Sequence, residues 1–149
     1  MFDLVITSGG FDPLHIGHIE YLEKAKALTY TTHHICIVNS DEFLRNKKGF
    51  AFMSMQDRSY IVHSLKCVDE VFCSIDEDQT VCKSIEEIAK RFRKNPMCNK
   101  IYFAKGGDRF ATEIPEKNIC DSYGIIIVDG LGKKIRSSSE IVQNAKGDF

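Results

Sequence analysis

Short apolar runs alternate with stretches of helical periodicity along the whole chain. The apolar runs fall at 3–7, 34–39, 70–74, 100–104 and 124–129, and read as strands. Helical patterns fill the intervals at 16–28, 55–65, 80–93 and about 115–122, with a last one at 138–145. In the second of these, Ile61, Val62 and Leu65 recur at helical spacing, and Ser54 with Asp57 makes an N-terminal capping signal. Strands alternating with helices predict a parallel sheet covered on both faces. Right-handed crossovers then give a Rossmann-like, doubly wound α/β fold with five parallel strands, whose ligands lie at the carboxyl ends of the strands. No repeat, linker or low-complexity segment interrupts the pattern, so residues 1–149 are expected to form one domain.

That fold requires chemistry-bearing residues to cluster just after strands, and they do. After the first strand comes Gly9-Gly10-Phe11-Asp12-Pro13-Leu14-His15-Ile16-Gly17-His18. A strand that hands over to a helix through two glycines is a ready phosphate site, because the helix N-terminus offers unpaired N–H groups and the positive end of its dipole. His15 and His18, three apart with Gly17 between them, project from one face of the opening turn. Asn39-Ser40-Asp41 follows the second strand, with Lys47 and Lys48 in an expected loop beside Gly49 and Phe50. Lys105-Gly106-Gly107-Asp108 follows the fourth strand, and Lys133-Lys134-Ile135-Arg136-Ser137-Ser138-Ser139 the fifth. The three serines read as a helix cap, and the preceding cations arm that second helix start for phosphate.

Composition removes several alternatives. At 43% hydrophobic and 28% charged, the chain is ordinary for a globular domain, and its net charge of −1 gives no basis for nucleic-acid binding. No apolar run reaches the length needed to span a bilayer, so no membrane association is expected. The N-terminus carries no basic region followed by a long apolar segment, which points to a cytoplasmic protein. The six cysteines form no Cys-x-x-Cys pair, and Cys36 and Cys73 are expected as small buried hydrophobes. A His-x-x-His spacing with no third His, Cys or Glu nearby does not make a protein metal site.

The segment Gly-x-Phe-Asp-x-x-His-x-Gly-His is similar to the signature of the cytidylyltransferase-like nucleotidylyltransferases, and the resemblance runs from Asp3 to about Ala145. It implies transfer of AMP or CMP from a nucleoside triphosphate to a phosphorylated small-molecule acceptor, with release of pyrophosphate. Gly9, Gly10, Phe11, Asp12 and Gly17 would line the phosphates, and His15 and His18 would stabilise charge at the α-phosphate. At Gly10 many relatives have Thr. The resemblance places a catalytic lysine at about Lys47 and the triphosphate grip at Arg136 and Ser137 to Ser139, where this chain inserts an Arg and replaces Thr by Ser. One of Lys133, Lys134 and Arg136 would fill the role of the family's arginine. Mg²⁺ is implied as companion of the triphosphate, with few protein ligands of its own, and a homodimer is the implied assembly. Lys105-Gly106-Gly107-Asp108 is similar to the tetrapeptide of heptose 1-phosphate adenylyltransferases, favouring ATP and a sugar phosphate. The alternatives are a glycerol-3-phosphate cytidylyltransferase and a non-catalytic nucleotide-binding regulatory protein.

Overall fold

The computed structural model describes residues 1–107 and 114–131. The elements run β1 (Phe2–Gly9), α1 (Ile16–Lys26), β2 (Thr32–Val38), α2 (Asp41–Lys48), α3 (Met55–His63), β3 (Glu70–Cys73), α4 (Cys82–Arg93), β4 (Cys98–Gly106), α5 (Lys117–Ser122) and β5 (Ile126–Leu131). The five strands form one parallel sheet in the order β3-β2-β1-β4-β5. The chain therefore starts at the centre of the sheet, builds outward through β2 and β3, and crosses back to β4. The topological switch lies between β1 and β4, the crevice where doubly wound sheets bind ligands.

Alternation along the strands sends each side chain to one of two cores. Leu4, Ile6, Ile35, Ile37, Ile101 and Phe103 face α4 and α5, packing on Ile85, Ile88, Phe92 and Cys120. The residues between them, Val5, Cys36, Val38 and Ala104, face α1 and α3, meeting Leu22, Ala25 and Val62. Both faces are covered, as near-continuous apolar strands require.

The structure departs from the sequence reading in two places. Lys47 and Lys48 are not in a loop; they are the last two residues of α2. Ser40 caps that helix through its hydroxyl, Asp41 and Glu42 occupy the first turn, Arg45, Lys47 and Lys48 lie in the last, and Gly49 terminates it in the left-handed conformation at φ 87°. Cys73 is exposed rather than buried, because β3 is an edge strand; Cys36 is buried as expected. The helix expected at 138–145 lies outside the described residues.

Two polar contacts hold the central strands in place. The Tyr21 hydroxyl of α1 donates to the Ala104 carbonyl and accepts from the Ser8 N–H at 3.4 Å, stapling the helix across the β1–β4 crevice. In β2, the buried His34 sets its Nδ1 2.6 Å from the Cys67 carbonyl and its Nε2 2.8 Å from the Thr7 hydroxyl. A carbonyl only accepts, so Nδ1 carries the proton and Nε2 takes the hydroxyl's. Burial holds this imidazole below its ordinary value of 6.5, outweighing the nearby Asp69 carboxylate. The unfolded chain takes up a proton at His34 that the folded chain refuses, so stability is whole above about pH 6.5 and declines below it. The urea midpoint should fall between pH 7 and pH 5, and the slope should flatten in His34→Asn, which keeps a donor toward Cys67.

Candidate active site

β1 ends at Gly9, and the next turn is built by close approach. Phe11 adopts a left-handed φ of 52° and is buried, with its ring turned beneath Gly9. A Cβ on Gly9 would stand 2.8 Å from that ring, so only glycine fits above it. A Cβ on Gly10 would stand 2.8 Å from the Leu44 side chain of α2, which fills the space above it. The Phe11 ring also meets His18 edge-on, with centroids 5.1 Å apart.

His15 is the N-cap of α1, and the two histidines close its first turn on each other. The Gly17 N–H donates to His15 Nδ1 at 3.1 Å, and the His15 N–H donates to His18 Nδ1 at 3.2 Å. Their rings stack with centroids 3.8 Å apart. Each Nδ1 accepts a backbone N–H, so the proton each neutral ring carries sits on Nε2. For His18 the environment agrees: burial first, then the neighbouring His15 and Lys48, depress its pKa to about 3. The sequence reading assigned these residues to charge stabilisation. In the geometry, His18 is an uncharged ring with its proton on Nε2, and the positive charge beside it is a lysine ammonium.

That lysine is Lys48. Its Nζ donates to the Asp12 carbonyl at 2.9 Å and stands 3.6 Å from the Asp12 carboxylate, and it acts electrostatically on His18. Lys47 instead reaches along its own helix, with Nζ 6.0 Å from the centre of the Phe43 ring. Asp12, expected to line the phosphates, is buried and engaged by the chain itself: its two oxygens accept from the Phe52 and Met53 N–H groups at 2.6 and 2.7 Å. It pins the segment between α2 and α3 onto the motif.

Arg58 of α3 completes this side of the edge. Its guanidinium is wholly buried and donates to the Gly10, Asn39 and Met53 carbonyls at 2.7–2.9 Å and to the Asp41 carboxylate at 2.7 Å. Across the switch, Lys105 lays its Nζ 5.4 Å over the Phe103 ring. Gly106 admits the Tyr21 ring, which a Cβ would approach to 3.0 Å, and Gly107 turns the chain at φ 69°. Asp108, Arg136, Ser137, Ser138 and Ser139 lie outside the described residues.

The structure thus brings Gly9, Gly10, Phe11, Asp12, His15, Gly17 and His18 into one turn, with Lys48 against it. Sequence reasoning placed Asn39 at this edge but missed Tyr21 and Arg58 as parts of it, and it named Lys47 where the structure sets Lys48 beside Asp12. The signal for Lys48 was present, since Ser40, two acids, three bases and Gly49 spell a complete helix whose phase separates the two lysines.

A family model described as cytidylyltransferase-like matches residues 6–144. The bifunctional protein HldE of Syntrophotalea carbinolica is 33% identical over 147 residues, a match spanning 94% of this chain and 26% of that relative. HldE of Helicobacter pylori is 42% identical over 87 residues, or 57% of this chain and 18% of the relative. The chain therefore spans about a quarter, or less, of the length of these curated relatives. Among solved structures, the lipopolysaccharide core biosynthesis protein of Thermoplasma volcanium superposes with a TM-score of 0.68 at 22% identity, covering 89% of this chain and 98% of that one. It carries the same fold.

Two outcomes follow from this geometry. Long-range ¹H–¹⁵N NMR at pH 6 should show His18 as the Nε2–H tautomer, with no titration of its ring above pH 5. Arg58→Met should lower unfolding free energy by roughly 3–5 kcal/mol in urea, the usual cost of removing one partner of a buried ion pair.

Proposed function

This chain belongs to the cytidylyltransferase-like family of nucleotidyltransferases, and on that premise we propose that it transfers a nucleoside monophosphate, AMP in preference to CMP, to a sugar phosphate of the heptose 1-phosphate kind. The observation that carries the reading is the opening turn of α1, where two mutually capped histidines and a lysine meet at a helix N-terminus beside the switch crevice. The preference for ATP and a sugar rests on Lys105-Gly106-Gly107-Asp108 and on likeness to the HldE proteins.

The reaction is an in-line displacement. A phosphate oxygen of the acceptor forms a bond to the α-phosphorus, the bond from that phosphorus to the bridging oxygen breaks, and pyrophosphate leaves with the electron pair. No enzyme nucleophile is needed, so the protein contributes positioning and electrostatic stabilisation. His18 donates its Nε2–H to the α-phosphate oxygen as negative charge grows there, and His15 donates beside it. The part expected of Lys47 falls to Lys48, whose ammonium faces the motif. Arg136 with Ser137 to Ser139 takes the β- and γ-phosphates, as their likeness to the family segment supports.

No cluster of His, Cys, Asp and Glu that could hold a metal occurs among the described residues, and both Asp12 oxygens already accept backbone N–H groups. Mg²⁺ would accompany the triphosphate, with few ligands from the protein, and would neutralise phosphate charge there.

Pyrophosphate release tests the reading, with ATP or CTP crossed against heptose and hexose 1-phosphates and glycerol 3-phosphate. Turnover is expected with ATP and a sugar 1-phosphate; turnover only with CTP and glycerol 3-phosphate would replace it. His18→Ala should fold normally and lose about two to three decades of rate, equivalent to roughly 3–4 kcal/mol. Lys48→Ala should lose more activity than Lys47→Ala. Triphosphate binding without turnover in any pairing would indicate a binding protein.

A further inference from the structure

The apolar columns that fill the α4-side core end, at the carboxyl edge of the sheet, in polar residues. In β1 the column Leu4 and Ile6 continues to Ser8; in β4 the column Ile101 and Phe103 continues to Lys105. Ile6 is level with both Ile35 and Phe103, and Ser8 with Ile37, so these columns are neighbours in register. In β2 the column Ile35 and Ile37 continues to Asn39, one rung beyond the strand. The Asn39 N–H still donates to the Gly9 carbonyl at 3.0 Å, and its carbonyl accepts from Arg58.

The backbone of Asn39 is thus satisfied, but its side chain is not. The residue is 7% exposed, and its Oδ1 is buried with no hydrogen-bond partner among the described residues. Buried amide oxygens are almost always paired, and an apolar side chain is the ordinary occupant at the end of such a column. An amide kept here without a donor from the protein is suited to one arriving with a ligand. Its place narrows the ligand's chemistry. Asn39 lies on the β2 side of Gly9 and Gly10, which raise no side chain between it and the histidine turn, and α2 with Lys48 begins two residues later. It is on the far side of β1 from the Lys105 to Gly107 end of β4. The acceptor must bring its phosphate up to the α-phosphate at the α1 N-terminus, and an acceptor arriving from the β2 side would carry its hydroxyls past Asn39 and Ser8.

We propose that Asn39, with Ser8 next to it, reads the hydroxyls of the phosphorylated acceptor: Asn39 Oδ1 accepts a hydrogen bond from a sugar hydroxyl and so sets acceptor specificity. This rests on the reading of the chain as a transferase to a sugar phosphate. Apolar replacement removes the acceptor atom without opening a cavity, and it removes a desolvated amide from the ligand-free protein. Loss of acceptor recognition is therefore coupled to an unchanged or raised melting temperature, the reverse of what a structural role would produce.

The test compares wild type with Asn39→Leu and with Asn39→Asp, which keeps an acceptor oxygen. With ATP and the sugar 1-phosphate that turns over, Asn39→Leu should raise the acceptor KM about ten- to a hundred-fold, with the KM for ATP unchanged and Tm equal or higher. Asn39→Asp should retain more of the acceptor affinity. A KM for acceptor unchanged in Asn39→Leu, or an equal loss for ATP, overturns the proposal. A second arm needs no turnover. The side-chain amide pair that vanishes from the ¹H–¹⁵N spectrum in Asn39→Leu is followed while mannose 1-phosphate is added to the wild-type protein. Its displacement supports the assignment. Movement of Gly9, Gly10 and His18 amides alone overturns it and leaves the transferase reading standing. No movement with mannose 1-phosphate or with Mg-ATP overturns both.

Discussion

The arrangement of this site depends on one buried guanidinium. Arg58 is fully enclosed, and its donors reach the ends of β1 and β2, the first residue of α2 and the segment before α3. Gly10 and Asn39 lie where the strand ladders stop, so their carbonyls lack the partners a sheet provides and would be costly to leave unmet. One nitrogen of Arg58 serves both, at 2.8 and 2.7 Å, and Asp41 neutralises the charge from the other side. The planar fork holds these directions at once, which an ammonium on a flexible stem does not.

What hangs from that fork is the chemistry. Fixing the start of α2 fixes its end, and with it Lys48 against Asp12 and His18. The segment from 50 to 53 is anchored twice, by Arg58 on Met53 and by Asp12 on two of its N–H groups. On the other side of β1, Tyr21 ties α1 to Ser8 and Ala104, so the N-terminus of α1 stands over the crevice between β1 and β4. The two histidines spend their Nδ1 atoms on that helix start, which aligns their remaining N–H donors, and burial keeps His18 uncharged. A neutral imidazole fits there because a lysine ammonium and a helix dipole already supply positive potential to an anion. Directed donors and charge sit on different side chains here, the ring N–H on histidine and the ammonium on Lys48.

Much of this was legible in the sequence, and the physical reason is the periodicity. Strand and helix patterns differ in period, and the five apolar runs lie where the five strands form, with ends differing by a few residues where frayed ends and polar edge residues blur them. The decapeptide at 9–18 was readable as the turn from β1 into α1 because two glycines followed by a capping histidine mark a strand–helix junction. The lysines of α2 were misplaced because basic side chains followed by Gly and Phe look like a loop until Ser40 and its acidic first turn are read together with them. Cys73 was misread because an apolar strand looks the same at the edge of a sheet as at its centre.

Local chemistry therefore settled the class of fold and the place of the turn from β1 into α1, since both follow from short-range periodicity and from the conformations open to glycine. Tertiary structure decided which side chains face that turn. Arg58 reads in sequence as one more polar residue on an amphipathic helix, and Asn39 as the polar end of a strand. Lys48 is distinguished from Lys47 by 100° of helix phase. Their roles arise from contacts between residues 17 to 48 positions apart, as Asp41 and Arg58 or Gly10 and Arg58 are, and such contacts exist only once the strands have paired and the helices have been set on their faces.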